Sequence, residues 1–171
     1  MRAYLAGLGL TALTLLAPSA MALESDASQP INVAADRLEL DDRAGTAVYT
    51  GNVDMQQGSM VLKAHRVEIE RNDQGEVTRV TATGQQQRAY LEQRPAPDDE
   101  LVKGWGDTVV YHAGARRVEL IGHAELHQAK DTFNGAYVEY YLDSRKVQAR
   151  SNAQGSQDQR VRMTLTPKSS Q

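Results

Sequence analysis

The chain has 171 residues, of which 40% are hydrophobic, 24% charged and none cysteine, with a formal net charge of −3. That length supports one domain with a real core, or two very small ones. Zero cysteines exclude a disulfide framework, a thiol nucleophile and a thiolate metal site, and the mild acidity argues against a nucleic-acid binder, which needs a basic face to neutralise phosphates.

The first segment reads as an address. Met1-Arg2 is a short basic start, Ala3 to Ala17 is apolar, and Ala20-Met21-Ala22 is a small-x-small cleavage site. The apolar run is shorter than the roughly 20 residues of a membrane-spanning helix. We expect residues 1–22 to be a cleaved signal peptide, and residues 23–171 to be a single exported domain with a flexible tail after about residue 167.

The rest alternates as strands do. One face of Ala47 to Gln56 carries Ala47, Tyr49, Val53 and Met55; one face of Val118 to His127 carries Val118, Leu120, Ala124 and Leu126. The same alternation marks Leu38/Leu40, Met60/Leu62, Val67/Ile69, Val77 to Ala82, Val109/Tyr111, Val138/Tyr140/Leu142 and Val161/Met163/Leu165. No window of ten or more residues past the leader holds a helical period. Turn signals separate the segments at Asp41 to Gly45, Gln57-Gly58, Asn72 to Gly75, Ala113-Gly114 and Asp143-Ser144. Loops are expected at Pro95 to Glu100 and Ser151 to Gln159. About 16 short strands result, too many for an ordinary open sheet, so the sheet must fold over on itself.

A gapless shift of 71 residues superposes Asp36 on Asp107, Tyr49 on Leu120, Gly51 on Gly122, Met55 on Leu126, Leu62 on Phe133 and Val67-Glu68 on Val138-Glu139. Either the chain is duplicated, with Gly51 and Gly122 as equivalent corners, or two meanders share the common period of strands.

Reaction chemistry is hard to find. There is no G-x-S-x-G elbow, P-loop or H-E-x-x-H motif. His123, Glu125 and His127 share one strand face, opposite the apolar one, and read as a solvated outer face rather than a metal site. Asp41-Asp42 and Asp98-Asp99-Glu100 read as solvated turn carboxylates. Arg37, Lys63, Arg66, Lys103, Arg116 and Arg117 read as a scattered basic surface. Trp105, between Gly104 and Gly106, reads equally as a binding aromatic or as a strand-edge core residue. We expect no catalytic residues, no metal and no cofactor. The apolar faces either fill each other or leave a groove for something apolar, and Tyr49, Tyr90, Tyr111 and Tyr140 are expected to face inward, where an amphipathic ring suits a ligand with tails and a polar head.

Several stretches resemble the OstA-like family of periplasmic lipopolysaccharide transport proteins. They are Gln29 to Val33 with Ala35-Asp36, Tyr49-Thr50-Gly51-Asn52-Val53, Gln57-Gly58, Lys63-Ala64 with Val67, Gly84, and Leu120-Ile121-Gly122-His123-Ala124 with Leu126-His127-Gln128. The twice-occurring T/L-x-G-N-V/A pattern followed by Gln is the most distinctive part, although His123 stands where the family often has Asn, and Gln86 to Tyr90 lacks the usual Pro-Ala. The resemblance implies an all-β fold, a twisted and slightly open antiparallel jelly roll, with no enzymatic activity. It implies a periplasmic carrier of lipopolysaccharide, receiving it from an LptC-like inner-membrane protein and passing it to an LptD-like outer-membrane translocon with LptE. Copies stack end to end through edges at Ile31 to Ala34 and Val161 to Thr166, with Arg160 and Arg162 guarding or selecting the contact. On that footing Ile31, Leu40, Tyr49, Met60, Leu62, Tyr90, Tyr111, Leu120, Phe133 and Tyr140 are the expected lipid-binding lining. The competing expectation is a secreted structural or carbohydrate-binding jelly roll with a filled interior.

Overall fold

A computed structural model describes residues 26–96, 98–152 and 160–167. The leader expected at Met1 to Ala22, most of the Ser151 to Gln159 loop and the tail beyond residue 167 lie outside the described residues. After a 3-10 turn at Asp26–Ser28 come twelve described strands: β1 Ile31–Ala34, β2 Arg37–Asp41, β3 Thr46–Gln57, β4 Met60–Arg71, β5 Val77–Thr83, β6 Ala89–Gln93, β7 Val102–Gly106, β8 Thr108–His112, β9 Arg117–Gln128, β10 Asp131–Tyr141, β11 Lys146–Arg150 and β12 Arg162–Thr164. All pairings among them are antiparallel.

Four strands, β3, β4, β9 and β10, are 11 or 12 residues long, and the others are 3 to 7. Each long strand changes partner halfway. Thr46–Thr50 of β3 pairs with β2, whereas Asp54–Gln57 pairs with β1. In the same way β4 serves β6 and then β5, β9 serves β8 and then β7, and β10 serves β12 and then β11. The result is two layers sharing four bent strands. One runs β2-β3-β4-β5-β8-β9-β10-β11, the other β1-β3-β4-β6-β7-β9-β10-β12. The expected sixteen short strands are these twelve, with the long four counted once in each layer. This is the expected all-β, jelly-roll-like arrangement.

The bends have a chemical cause. Gly51 and Asn52 have φ of 83° and 45°, and Gly122 and His123 have 72° and 45°. Two residues of β3 there oppose one of β4, and two of β9 oppose one of β10, so each corner is a β-bulge. An aspartate ties each corner. The Asp36 N–H donates to Gly51 O at 3.0 Å and the Asp107 N–H to Gly122 O at 2.8 Å. The Asp36 carboxylate accepts from Asn52 Nδ2 at 3.0 Å, and the Asp107 carboxylate meets His123 Nδ1 at 2.8 Å. A Cβ at either glycine would overlap the aspartate side chain. The corners coincide under the 71-residue shift, as does every residue pair of β1·β3, β2·β3 and β3·β4 with those of β7·β9, β8·β9 and β9·β10. The repeat is therefore structural, beyond a shared strand period.

Inward side chains from both layers make one core, including Met55, Met60, Leu62, Val67, Val109, Leu120, Leu126 and Val138. The inward set of β4 changes from Met60 and Leu62 to Val67 and Ile69 across its bulge, so the sequence read one bent strand as two short ones. Tyr90 departs from expectation. Ala89, Leu91 and Gln93 take the buried positions of β6, so period two sends Tyr90 to the outer face. There its ring lies 5.1 Å from that of Trp105 and its hydroxyl donates to Glu92 at 2.5 Å. Trp105, flanked by buried Gly104 and Gly106, lies on the same outer face, with its ring 4.9 Å from that of His127.

The corner chemistry yields a test. Gly122→Ala meets both the positive-φ penalty and the Asp107 side chain, and should lose about 1–3 kcal/mol of unfolding free energy in urea. Gly114→Ala, in an exposed turn with no atom near the added methyl, should stay within about 0.5 kcal/mol of the parent. Equal losses at the two sites would refute the corner assignment.

Candidate functional site

Two features carry functional potential: the space between the inner faces, and the outermost strands at either end. Met60, Leu62, Tyr111, Leu120 and Tyr140, all expected as lining, are buried between the layers, and Ile31, Tyr49 and Phe133 pack against them half-buried. Leu62 and Leu120 have no exposed surface, so the inner faces close on each other. Leu40, also expected as lining, is 56% exposed, because among the described residues β2 ends its layer with no strand beyond it. Tyr90 is outside, beside a surface cavity of about 700 Å³ that also meets Lys63, His65, Gln86 and Arg88.

Polar groups fasten the strand ends, several within one layer and one pair between the layers. The Asp26 carboxylate accepts from Ser59 N at 2.9 Å, Ser59 Oγ at 2.5 Å and Gln93 Nε2 at 2.8 Å. Gln57 Nε2 donates to Gln29 O at 3.1 Å. Asp99, in the loop between β6 and β7, pairs with Arg145 of the β10–β11 hairpin at 2.5 Å, joining the rim of one layer to that of the other. Two inward tyrosines stand close to these groups. Burial pushes the Tyr111 phenol up, with the charges of Arg116 and Asp26 nearby, and it pushes up the Tyr140 phenol, with Arg145 and Asp99 nearby. The Tyr140 hydroxyl is buried and has no hydrogen-bond partner among the described residues. These rim contacts were not read from the sequence, since Asp26 and Asp99 look like ordinary loop acids.

The outer faces carry charge in pairs. Lys63 meets Asp54 at 3.5 Å, Arg66 meets Glu68 at 2.7 Å and Arg116 meets Asp143 at 2.5 Å. Arg117 lies between Glu119, at 2.9 Å, and Glu139. The three-residue face of His123, Glu125 and His127 does not converge. His123 turns to Asp107, while Glu125 accepts from Arg88 at 3.0 Å and meets His127 Nε2 at 2.7 Å. Burial disfavours the Glu125 anion, but the bonds from Arg88 and His127 outweigh it and hold the carboxyl below its usual range. Among the described residues no three His, Asp or Glu side chains form a metal-binding group.

The second feature is at the ends. Among the described residues β1 and β2 bond to β3 and to no other strand, and β11 and β12 to β10 and to no other strand, so one edge at each end of both layers has no strand partner. Among the described residues the exposed large apolar side chains are Leu38, Leu40, Val161, Met163 and Leu165, all on or next to these strands. Edges normally carry charges that discourage pairing, and these strands combine such charges (Arg37, Glu39, Asp41, Lys146, Arg150, Arg162) with the exposed apolar side chains.

Comparison with known proteins agrees with this geometry. Residues 32–146 match the family model described as LptA/(LptD N-terminal domain) LPS transport protein. The lipopolysaccharide export system protein LptH of Pseudomonas aeruginosa is 41% identical over 164 residues, covering 94% of this chain and 91% of that protein. The lipopolysaccharide export system proteins LptA of Haemophilus influenzae and Escherichia coli K12 are 32% and 30% identical, covering 92% and 90% of this chain and 89% and 81% of those proteins. The crystal structure of LptH, the periplasmic LptA homologue of the lipopolysaccharide transport device of Pseudomonas aeruginosa, superposes with a TM-score of 0.76 at 38% identity, covering 84% of this chain and all of that one. With corners, layers and sequence in agreement, the chain belongs to the LptA/(LptD N-terminal domain) family of LPS transport proteins.

Proposed function

We propose that this chain is a periplasmic lipopolysaccharide carrier. Its first 22 residues direct export and are removed, and the remaining domain holds lipid A acyl chains between its layers. It takes the lipid from an LptC-like inner-membrane protein and delivers it to an LptD-like outer-membrane translocon with LptE. Copies stack end to end to span the gap. The observation that carries this reading is the coincidence of two apolar inner faces with outer strands that, among the described residues, have a free edge and expose Leu38, Leu40 and Met163.

The physical need is clear. Each acyl CH₂ left in water costs about 0.8 kcal/mol, so a lipid with several chains needs a continuous apolar path. The closed interior sets the entry mechanism. Acyl chains enter by parting the layers at their open strand ends, where the Asp99–Arg145 pair is the contact to break. Parting also releases the stranded Tyr140 hydroxyl to a polar partner, while the bends at Gly51 and Gly122 stay tied by Asp36 and Asp107. Sugars and phosphates remain outside.

The closure of Leu62 and Leu120 favours one rival reading, a structural or carbohydrate-binding module whose interior never opens. Photo-crosslinking separates the two. A crosslinker at half-buried Tyr49 or Phe133 should label lipopolysaccharide in a Gram-negative host, and one at Tyr90, Glu119 or Glu125 should not. Equal labelling of both faces, or labelling of neither, refutes the carrier reading. The stacking has its own test. Removing residues 161–171 takes away one rim and leaves the core untouched, so the shortened chain should keep its far-UV spectrum and melting transition while losing the longer species in sedimentation velocity. Unchanged oligomers would count against stacking through that rim.

A further inference from the structure

We propose that the outer face of the layer built on β4, β6, β7 and β9 carries a saccharide-binding shelf, centred on Tyr90 and Trp105, that takes a neutral pyranose oligosaccharide. The inference goes beyond the carrier reading and does not rest on it, because the shelf and the space between the layers lie on opposite faces of these strands. Leu62, Leu91 and Leu126, next to the shelf residues on β4, β6 and β9, point inward and are buried in the core. On the outer face Lys63 lies opposite Tyr90, Tyr90 opposite Trp105 and Trp105 opposite Glu125. Directly opposed side chains share a face, so these four form one cross-strand row. The Tyr90 and Trp105 rings, 5.1 Å apart, are each only half-buried.

Both rings border the surface cavity of about 700 Å³, within the span of roughly 300–1,000 Å³ that ligand pockets occupy. A second wall of that cavity is the connection from β5 to β6, and it is held in place. The Gly84 N–H donates to Asp107 O at 2.9 Å and the Gln85 N–H to Gln87 O at 3.1 Å. Arg88 donates to His123 O at 2.7 Å and to the Glu125 carboxylate at 3.0 Å. A Cβ at position 84 would strike Gln87 O and Ala89 N, so the tight path of this connection needs glycine there. A wall fixed in advance lowers the ordering cost of binding. The repeat shows that the architecture does not demand the rings. Trp105, opposite Glu125, has its counterpart in Ala34, opposite Asp54, and Tyr90, opposite Lys63, in Arg162, opposite Asn134.

The chemistry of the cavity selects the ligand class. Its Lys and Arg are already engaged, Lys63 with Asp54 at 3.5 Å and Arg88 with Glu125, so a phosphate would find neither of them free. The side chains of Gln85, Gln86 and Gln87 are exposed and bond to no described residue. An amide both donates and accepts, as a sugar hydroxyl does. A pyranose also presents a face of C–H bonds, whose weak positive charge suits the negative face of an aromatic ring. Rings beside uncommitted amides therefore match a neutral sugar on both of its surfaces. Stacked nucleic-acid bases would need a basic groove along the strand, which the paired charges do not supply.

The chain has one tryptophan, so its fluorescence reports on this shelf alone. Titrating the full chain with neutral trisaccharides of glucose, galactose, mannose or N-acetylglucosamine should give a saturable change in emission with at least one of them, and inorganic phosphate should give none. By calorimetry Tyr90→Ala and Trp105→Ala should each weaken that binding about tenfold or more. Gln87→Ala removes only an exposed amide, and should weaken binding several-fold while the melting transition stays where it was. A ring pair that merely braces β6 against β7 would lower the melting point in Tyr90→Ala while the parent bound none of the sugars. No response to any of the four trisaccharides overturns the proposal, as does equal binding of phosphate, or affinity that survives both Tyr90→Ala and Gln87→Ala. An emission change caused by lipopolysaccharide and abolished by Tyr90→Ala would give the shelf to the carried lipid's own sugars, overturning the proposal and leaving the carrier reading standing.

Discussion

Everything in this molecule depends on how four strands turn a corner. A strand that leaves one layer for another must change direction without stranding its peptide groups, because each buried unpaired donor or acceptor costs about 1–3 kcal/mol. β3 and β9 do so with two successive left-handed residues, and an aspartate from the neighbouring connection takes up the freed groups. Glycine is required at the first position for its φ and for the room the aspartate occupies. At the second position Asn52 and His123 both reach back to that aspartate, so asparagine and histidine are interchangeable in role there.

The corners make two layers from one chain, and the layers make the rest. Their inner faces form the core, and the Asp99–Arg145 pair joins the strand ends of one layer to those of the other, while Asp26 fastens the β3–β4 turn to β6 within one layer. Burial of Leu62 and Leu120 holds the layers shut, while the tied corners hold them together along the opposite side. A carrier of acyl chains needs this asymmetry: a fixed spine and a rim held by contacts that can be exchanged. Outside, the charges are consumed by one another. Arg88 and His127 engage Glu125, and Arg117 engages Glu119 and Glu139.

Duplication has a consequence at the ends. A single half would leave two rims of unpaired backbone. Joining two halves through β5·β8 and β6·β7 satisfies one edge of each, and among the described residues the outer edges of β1, β2, β11 and β12 keep no strand partner.

Much of this was legible in the residues. Alternation, turn chemistry and the 71-residue shift are local or linear properties, and they sufficed for the all-β class, the strand positions and the corner glycines, because side-chain period and positive φ are set within a few residues. Three things were decided only by the tertiary structure. Tyr90 was assigned inward on its size and amphipathic character, but Ala89, Leu91 and Gln93 claim the core face once β6 lies between β4 and β7. β2 and β11 as free edges, and hence the exposure of Leu38 and Leu40, depend on which strands find no neighbour. The rim contacts of Asp26 and Asp99 join residues far apart in the chain. Each is a question of which strand or rim lies next to which, and a strand's own period carries its faces but not the identity of its neighbours.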